Sequence, residues 1–187
     1  MTVPLPEIVG PLWGISELFL CLTRRSKSNA VSKDRQSLGL IWLVTLVAIT
    51  LGIVAAHQLY MCRLPCPKAL AEIGVGLCVA GLAFRWYAIM HLGRFFTANV
   101  AIAADHRVVD TGPYRWLRHP SYTGSLIAVF GFGLTFQNWA SLLLIFVPTC
   151  AVTLWRIHIE ESALMESLGD SYGLYRQRTK RLIPWVY

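Results

Sequence analysis

The chain alternates between long apolar runs and short connections rich in arginine and lysine, and the runs set the expected architecture. Residues 38–60 contain no charged side chain, and at ~1.5 Å per residue they cover the ~30 Å of a bilayer's hydrocarbon. A second run, 69–92, carries Glu72 near one end and Arg85 near the other, where a long side chain is expected to snorkel toward the headgroups. Pro65 and Pro67 place a tight turn between the two. Runs 121–136 and 139–157 are separated only by Gln137 and Asn138, which predicts an antiparallel helical hairpin. A fifth run, 5–22, is interrupted by Glu7, Pro11 and Glu17. Beyond 157, Leu164, Leu168, Tyr172 and Tyr175 recur at helical spacing, so the tail is expected to be an amphipathic helix against the membrane or the neighbouring loop. Ile183, Pro184 and Trp185 follow as an interfacial anchor.

The predicted fold is therefore an all-α integral membrane protein of about five transmembrane helices, with a C-terminal helical hairpin and a cytoplasmic amphipathic tail helix. One membrane domain, 1–187, is expected, with spans filling 1–90 and the chemistry in 91–187. Charge supports the count. Of the lysines and arginines, fourteen fall in segments 23–37, 92–121 and 156–187, whereas Arg63 and Lys68 alone lie in the alternate connection. Cytoplasmic loops carry the positive excess, so the N-terminus is expected outside and the C-terminus inside. Composition agrees: 55% of the 187 residues are apolar and 14% charged, against about 25% charged in soluble domains. The net charge of +7 is explained by this topology, and no nucleic-acid partner is implied.

Two polar clusters are expected on the inner face. The first, 105–122, reads DHRVVDTGPYRWLRHPSY; His106, Tyr114, His119 and Tyr122 supply donors and acceptors with little net charge, suited to a zwitterionic or nucleoside ligand. The second is Arg156, His158, Glu160 and Glu161 at the inner end of the last span. An Arg and a Glu four apart share a helical face, and an ion pair at the helix end is the plainest reading. Converging on the first cluster, however, these charges are costly to bury unless they hold a ligand. Gly74-Val75-Gly76 and Gly131-Phe132-Gly133 lie in helical stretches, not after a strand, and read as helix-packing sites rather than dinucleotide-binding loops. His57, Cys62 and Cys66 make a weak metal site without a fourth ligand, so no metal is expected; Cys62 and Cys66 are a candidate disulfide on an oxidising side.

Read together, LGRFF (92–96), HRVVDTGPYRWLRHPSYTG (106–124), the hairpin, RIHIEE (156–161) and GDSYGLYRQRTKRLIP (169–184) resemble the isoprenylcysteine carboxyl methyltransferase family, and more distantly the membrane phospholipid methyltransferases. The resemblance implies an S-adenosylmethionine cofactor. It implies a pocket strip of His106, Arg107, Val108 and Val109 closed by Tyr114, a second strip of His119, Pro120, Ser121 and Tyr122, a cofactor-holding carboxylate at Glu160, and a substrate-positioning, catalytic arginine at Arg156. A further upstream contact falls near Asn99 or Ala101. The implied reaction is methyl transfer to a lipophilic acceptor, foremost the carboxylate of an isoprenylated cysteine. A lipid amine or small thiol is the alternative acceptor, with His119, His158 or Glu161 as candidate bases. Outside catalysis, the alternative is a membrane protein whose basic face binds anionic lipid or a partner.

Overall fold

A computed structural model of the chain describes residues 5–23, 31–34, 36–96, 100–102 and 108–184. Among these residues six α-helices carry the fold: α1 (Leu5–Thr23), α2 (Gln36–Gln58), α3 (Pro67–Leu92), α4 (Pro120–Thr135), α5 (Trp139–Leu168) and α6 (Asp170–Arg178). Local chemistry sets their ends. Proline occupies the first turn of α3 and α4, where no backbone N–H is needed. The Asn138 side chain caps α5 by accepting from the amides of Ala140 and Ser141 at 2.9 and 3.2 Å. Among the described residues three helices, Ser37–Gln58, Lys68–Phe95 and Trp139–Leu168, are long and apolar enough to cross a membrane; Val9–Leu20 is a shorter apolar helix. Exposed Leu12, Ile15, Leu18 and Phe19 on α1, and Leu43, Leu46 and Val47 on α2, form the outward apolar surface that a bilayer solvates. The protein is built as an integral membrane protein.

The α3–α4 contact depends on small residues. Gly74 and Gly81 on α3 meet Gly131 and Gly124 on the antiparallel α4; a Cβ on Gly131 would lie 2.5 Å from the Gly74 carbonyl oxygen, and one on Gly81 2.6 Å from that of Gly124. The helix-packing reading thus holds for Gly74 and Gly131, and also for Gly133, whose Cβ would lie 2.8 Å from the Leu142 side chain of α5, while Gly76 faces open space. α2 packs on α5 through Gly52, whose carbonyl accepts from the Ser141 hydroxyl at 2.8 Å. α1 rests on α3 and α4, with Trp13 edge-on to Phe132 at 5.7 Å and the Trp86 indole donating to Ser16 at 2.7 Å. At one end, Asn138 donates to the Leu59 carbonyl and the Leu64 amide to that of Gln137, both at 2.9 Å. The loop 108–119 and the tail gather at the other.

Several expectations are corrected. A short antiparallel pair, β1 (Val31–Asp34) with β2 (Val100–Ile102), joins two connections expected to be plain loops, so the fold is helical but not wholly so. α5 runs eleven residues beyond the expected end at 157, placing Leu164 and Leu168 on it and only Tyr172 and Tyr175 on α6. The tail is thus two helices, and it leans on the loop: the Tyr175 hydroxyl donates to the Tyr114 carbonyl at 2.7 Å. Arg85 does not snorkel. Its guanidinium pairs with Glu17 of α1 at 2.7 Å and donates to the Ser121 carbonyl at 3.3 Å, which also neutralises one of the charges expected to interrupt the run 5–22. Cys62 and Cys66 are both free thiols. Trp185 lies outside the described residues.

Candidate active site

The polar loop reaches its position through one tight turn. Gly112 has φ +56° and lies against the His91 ring, which a Cβ would approach to 2.5 Å, so glycine is required there for both conformation and space. His91 shares a 2.9 Å hydrogen bond with Thr111 and stacks on Tyr114 at 6.2 Å. Tyr114 is buried and donates to the Ala88 carbonyl at 3.3 Å. Burial, reinforced by the Glu160 carboxylate, pushes its hydroxyl up from the ordinary tyrosine range, so it is a neutral donor at pH 7.

Past this turn the loop is bound to the tail as a two-stranded latch. The Arg118 amide donates to Lys180 at 2.7 Å, the His119 amide to Arg181 at 3.1 Å, and the Lys180 amide to Trp116 at 3.1 Å. Glu161 fixes the latch to α5, accepting from Arg118 Nε at 2.7 Å and Arg181 Nε at 3.0 Å; its Oε1 also lies 3.4 Å from His119 Nε2. Arg118 additionally donates to the carbonyls of Arg176 and Thr179. Glu161 thereby serves the latch and is spent as a base. His158 is exposed and absent from the cleft wall, so of the three candidate bases only His119 remains.

A cleft runs from this polar end into the helices. Val108, Val109, Tyr114, His119, Ser121, Tyr122, Arg156 and Glu160 line it. Pro120 is buried as the first residue of α4 rather than in the wall. His106 and Arg107, like Asn99 and the side chain of Ala101, lie outside the described residues. Tyr122 donates to Glu160 at 2.9 Å, joining the two polar clusters across the α4–α5 hairpin as expected. Arg156 is 2% exposed and donates to Ser37 of α2. It is buried deep in the structure and held by another helix, which a solvated pair at a helix end is not.

Sequence reasoning missed Arg85 and Glu17, which line the same cleft. The signal was present, since an ionisable residue inside an apolar helix marks function by default. It also placed Tyr172 on a tail face without seeing its target. That residue is 3% exposed, lines the cleft, and its hydroxyl has no partner among the described residues.

Comparison with known proteins follows the same residues. Residues 74–166 match the model of the isoprenylcysteine carboxyl methyltransferase (ICMT) family. A protein-S-isoprenylcysteine O-methyltransferase of Tribolium castaneum is 32% identical over 124 residues, covering 63% of this chain and 42% of that protein. Those of Schizosaccharomyces pombe and Saccharomyces cerevisiae are each 33% identical, covering 60% and 64% of this chain and 48% and 51% of theirs. The chain thus spans about half the length of these relatives. A solved structure of the eukaryotic intramembrane Ras methyltransferase ICMT superposes with TM-score 0.66 at 25% identity, covering 100% of this chain and 69% of that one. Fold and sequence similarity agree: residues 74–166 of this chain match the isoprenylcysteine carboxyl methyltransferase family, and the chain as a whole is similar in fold to a solved member of it.

Proposed function

We propose that this chain is an S-adenosylmethionine-dependent methyltransferase acting on a lipophilic acceptor, foremost the C-terminal carboxylate of an isoprenylated cysteine. The observation that carries this reading is the continuity of the cleft. Its inner end gathers Tyr114, His119, Tyr122, Arg156 and Glu160, and the wall beside and beyond them is largely apolar, with Leu38, Ile41 and Trp42 of α2 and Leu126 and Val129 of α4. An acceptor with a charged head and a hydrocarbon tail matches both ends. The activities named for the relatives support it.

The cofactor fits the donor set. The half-buried Glu160 carboxylate suits hydroxyl or ammonium groups. The orphaned Tyr172 hydroxyl offers a buried hydrogen bond that a polar ligand would complete. When bound, S-adenosylmethionine supplies an activated methyl group on a sulfonium. The chain's own residues do the rest by position. Glu160, oriented by the Tyr122 hydroxyl, holds the cofactor beside the wall formed by Val108, Val109, Tyr114, His119 and Ser121, with His106, Arg107 and Pro120 assigned to the same binding segments. Arg156, steadied by Ser37, orients the acceptor carboxylate with its planar fork. That carboxylate is ionised at pH 7 and needs no base, so alignment and exclusion of water are the protein's contribution.

The topology belongs to the same proposal. α1 and α4 complete five spans in one membrane domain, the catalytic region runs from 91 to 187, and the polar mouth faces the cytoplasm with the C-terminus. A screen of the purified chain with labelled S-adenosylmethionine against a prenylcysteine, a small thiol and a phospholipid tests the reaction. A base-labile methyl ester on the prenylcysteine is expected. Label on the thiol or phospholipid alone, or on none of them, contradicts the assignment.

A further inference from the structure

Apolar surface flanks Arg156 and Glu160 on both sides of the cleft, and the acceptor's hydrocarbon tail accounts for only one of them. Along α5 the cleft-lining residues form one stripe, Thr149, Thr153, Arg156, Glu160, Leu164 and Leu168, at the spacings of a single helical face. Leu164 and Leu168 lie one and two turns past Glu160, about 6 and 12 Å at ~1.5 Å per residue, toward the tail and away from Thr149. Leu92 of α3 and Val109 of the loop line the same cleft. Three contacts gather these elements around one chamber: Tyr114 donates to the Ala88 carbonyl one turn before Leu92, Tyr175 of α6 donates to the Tyr114 carbonyl at 2.7 Å, and Arg178 of α6 pairs with Asp110, beside Val109, at 2.7 Å.

The two tyrosines that α6 brings to this chamber are used differently. Gly169, at φ +53°, turns the chain back after α5, and the two rings lie 5.9 Å apart. The Tyr175 hydroxyl donates to the carbonyls of Tyr114 and Leu117 at 2.7 and 3.3 Å. Tyr172 is as deeply buried, at 3% exposed, and lines the cleft, yet its hydroxyl has no partner among the described residues. Burial, with the Glu161 and Glu160 carboxylates nearby, pushes it up from the ordinary tyrosine range, so it is a protonated donor at pH 7. A buried donor without an acceptor costs free energy that a ligand recovers.

Apolar walls with a single hydrogen-bonding group fit a flat heterocycle, whose faces meet the walls and whose edge meets the hydroxyl. A charged amino-acid end or a pair of ribose hydroxyls would be left unmatched there. We propose that Leu92, Val109, Leu164, Leu168 and Tyr172 form the adenine subsite of the cofactor, with the Tyr172 hydroxyl donating to a ring nitrogen of the base. Glu160, one turn nearer the acceptor, then serves the polar groups in the remainder of the cofactor. This rests on the methyltransferase reading and deepens it with an orientation: the base lies toward the tail and the sulfonium toward Arg156.

The test compares, by calorimetry in detergent, binding of S-adenosylhomocysteine with that of its 3-deaza, 7-deaza and inosine analogues, which between them alter each ring nitrogen of the base that can accept. Tyr172→Phe keeps the ring and should weaken the parent compound by about fivefold, the worth of one buried hydrogen bond, while melting no lower than wild type without ligand. For at least one analogue, wild type should prefer the parent by a similar factor and the variant should not. Unchanged affinity in the variant, a preference for the parent over every analogue that survives the substitution intact, or a clearly lower ligand-free melting temperature overturns the subsite and leaves the methyltransferase reading standing. No binding of S-adenosylhomocysteine to the wild-type chain overturns both.

Discussion

Glu161 ties the loop and tail to α5, and removing its charge is a direct test of how they are secured. Its side chain is 4% exposed and that of Arg118 9%, whereas Arg181 is 27% exposed. Glu161→Gln retains an acceptor for one guanidinium N–H but leaves Arg118 as a buried, uncompensated charge. Breaking a buried pair in this way costs about 3–5 kcal/mol. The lower end applies because water reaches Arg181 and because Arg118 keeps its bonds to the carbonyls of Arg176 and Thr179. For a chain of this length about 3 kcal/mol corresponds to a fall in Tm of roughly 6–12 °C. Limited trypsinolysis reads the same event locally, since Lys180 and Arg181 form the paired edge of the latch and should become the early cleavage sites. The double variant Glu161→Gln/Arg118→Gln removes the stranded charge, and its loss should fall short of the sum of the single losses by at least about 1 kcal/mol. A single variant melting within about 2 °C of wild type with an unchanged tryptic pattern would refute the latch.

Three further outcomes are expected. Gly131→Leu forces a side chain into the Gly74 backbone and should abolish accumulation of folded protein, whereas Gly76→Ala, facing open space, should change Tm by no more than a degree or two; equal behaviour in a detergent melting assay would contradict the close α3–α4 contact. Arg156→Lys keeps the charge but loses the planar fork, so methyl transfer should fall by more than about tenfold while S-adenosylhomocysteine still binds; an active Lys variant would remove Arg156 as the substrate-orienting group. Reporter tags should place the C-terminus in the cytoplasm and the N-terminus on the opposite side; both ends on one side would reduce the span count.

The parts legible in the sequence are those that a local rule controls. An uncharged run such as 38–60 has no other solution than a membrane helix, and two runs separated by Gln137 and Asn138 have no room for anything except a hairpin. Convergence of the loop from Val108 to Tyr122 with Arg156 and Glu160 was legible for the same reason, because both flank that hairpin; Tyr122 meets Glu160 across it. What remained hidden depends on contacts remote in sequence. Arg85 and Glu17, 68 positions apart, neutralise one another only once α1 lies on α3. Glu160 and Glu161 are adjacent and chemically alike, yet helix geometry turns one into the cleft and the other to the latch, and only the positions of Arg118 and Arg181 decide which. The short β1–β2 pair joins segments about seventy residues apart, each lacking an alternating pattern that would have marked it.

The central claim is that one cleft, lined at its polar end by Glu160, receives the cofactor. Titration of S-adenosylhomocysteine into the detergent-solubilised chain, beside Glu160→Gln, tests it most directly. Saturable binding at one site is expected, weakened in the variant by roughly 5- to 150-fold, the equivalent of the ~1–3 kcal/mol cost of an unmatched polar group in a buried site. No binding to the wild-type chain, or the same affinity in both, would contradict the account.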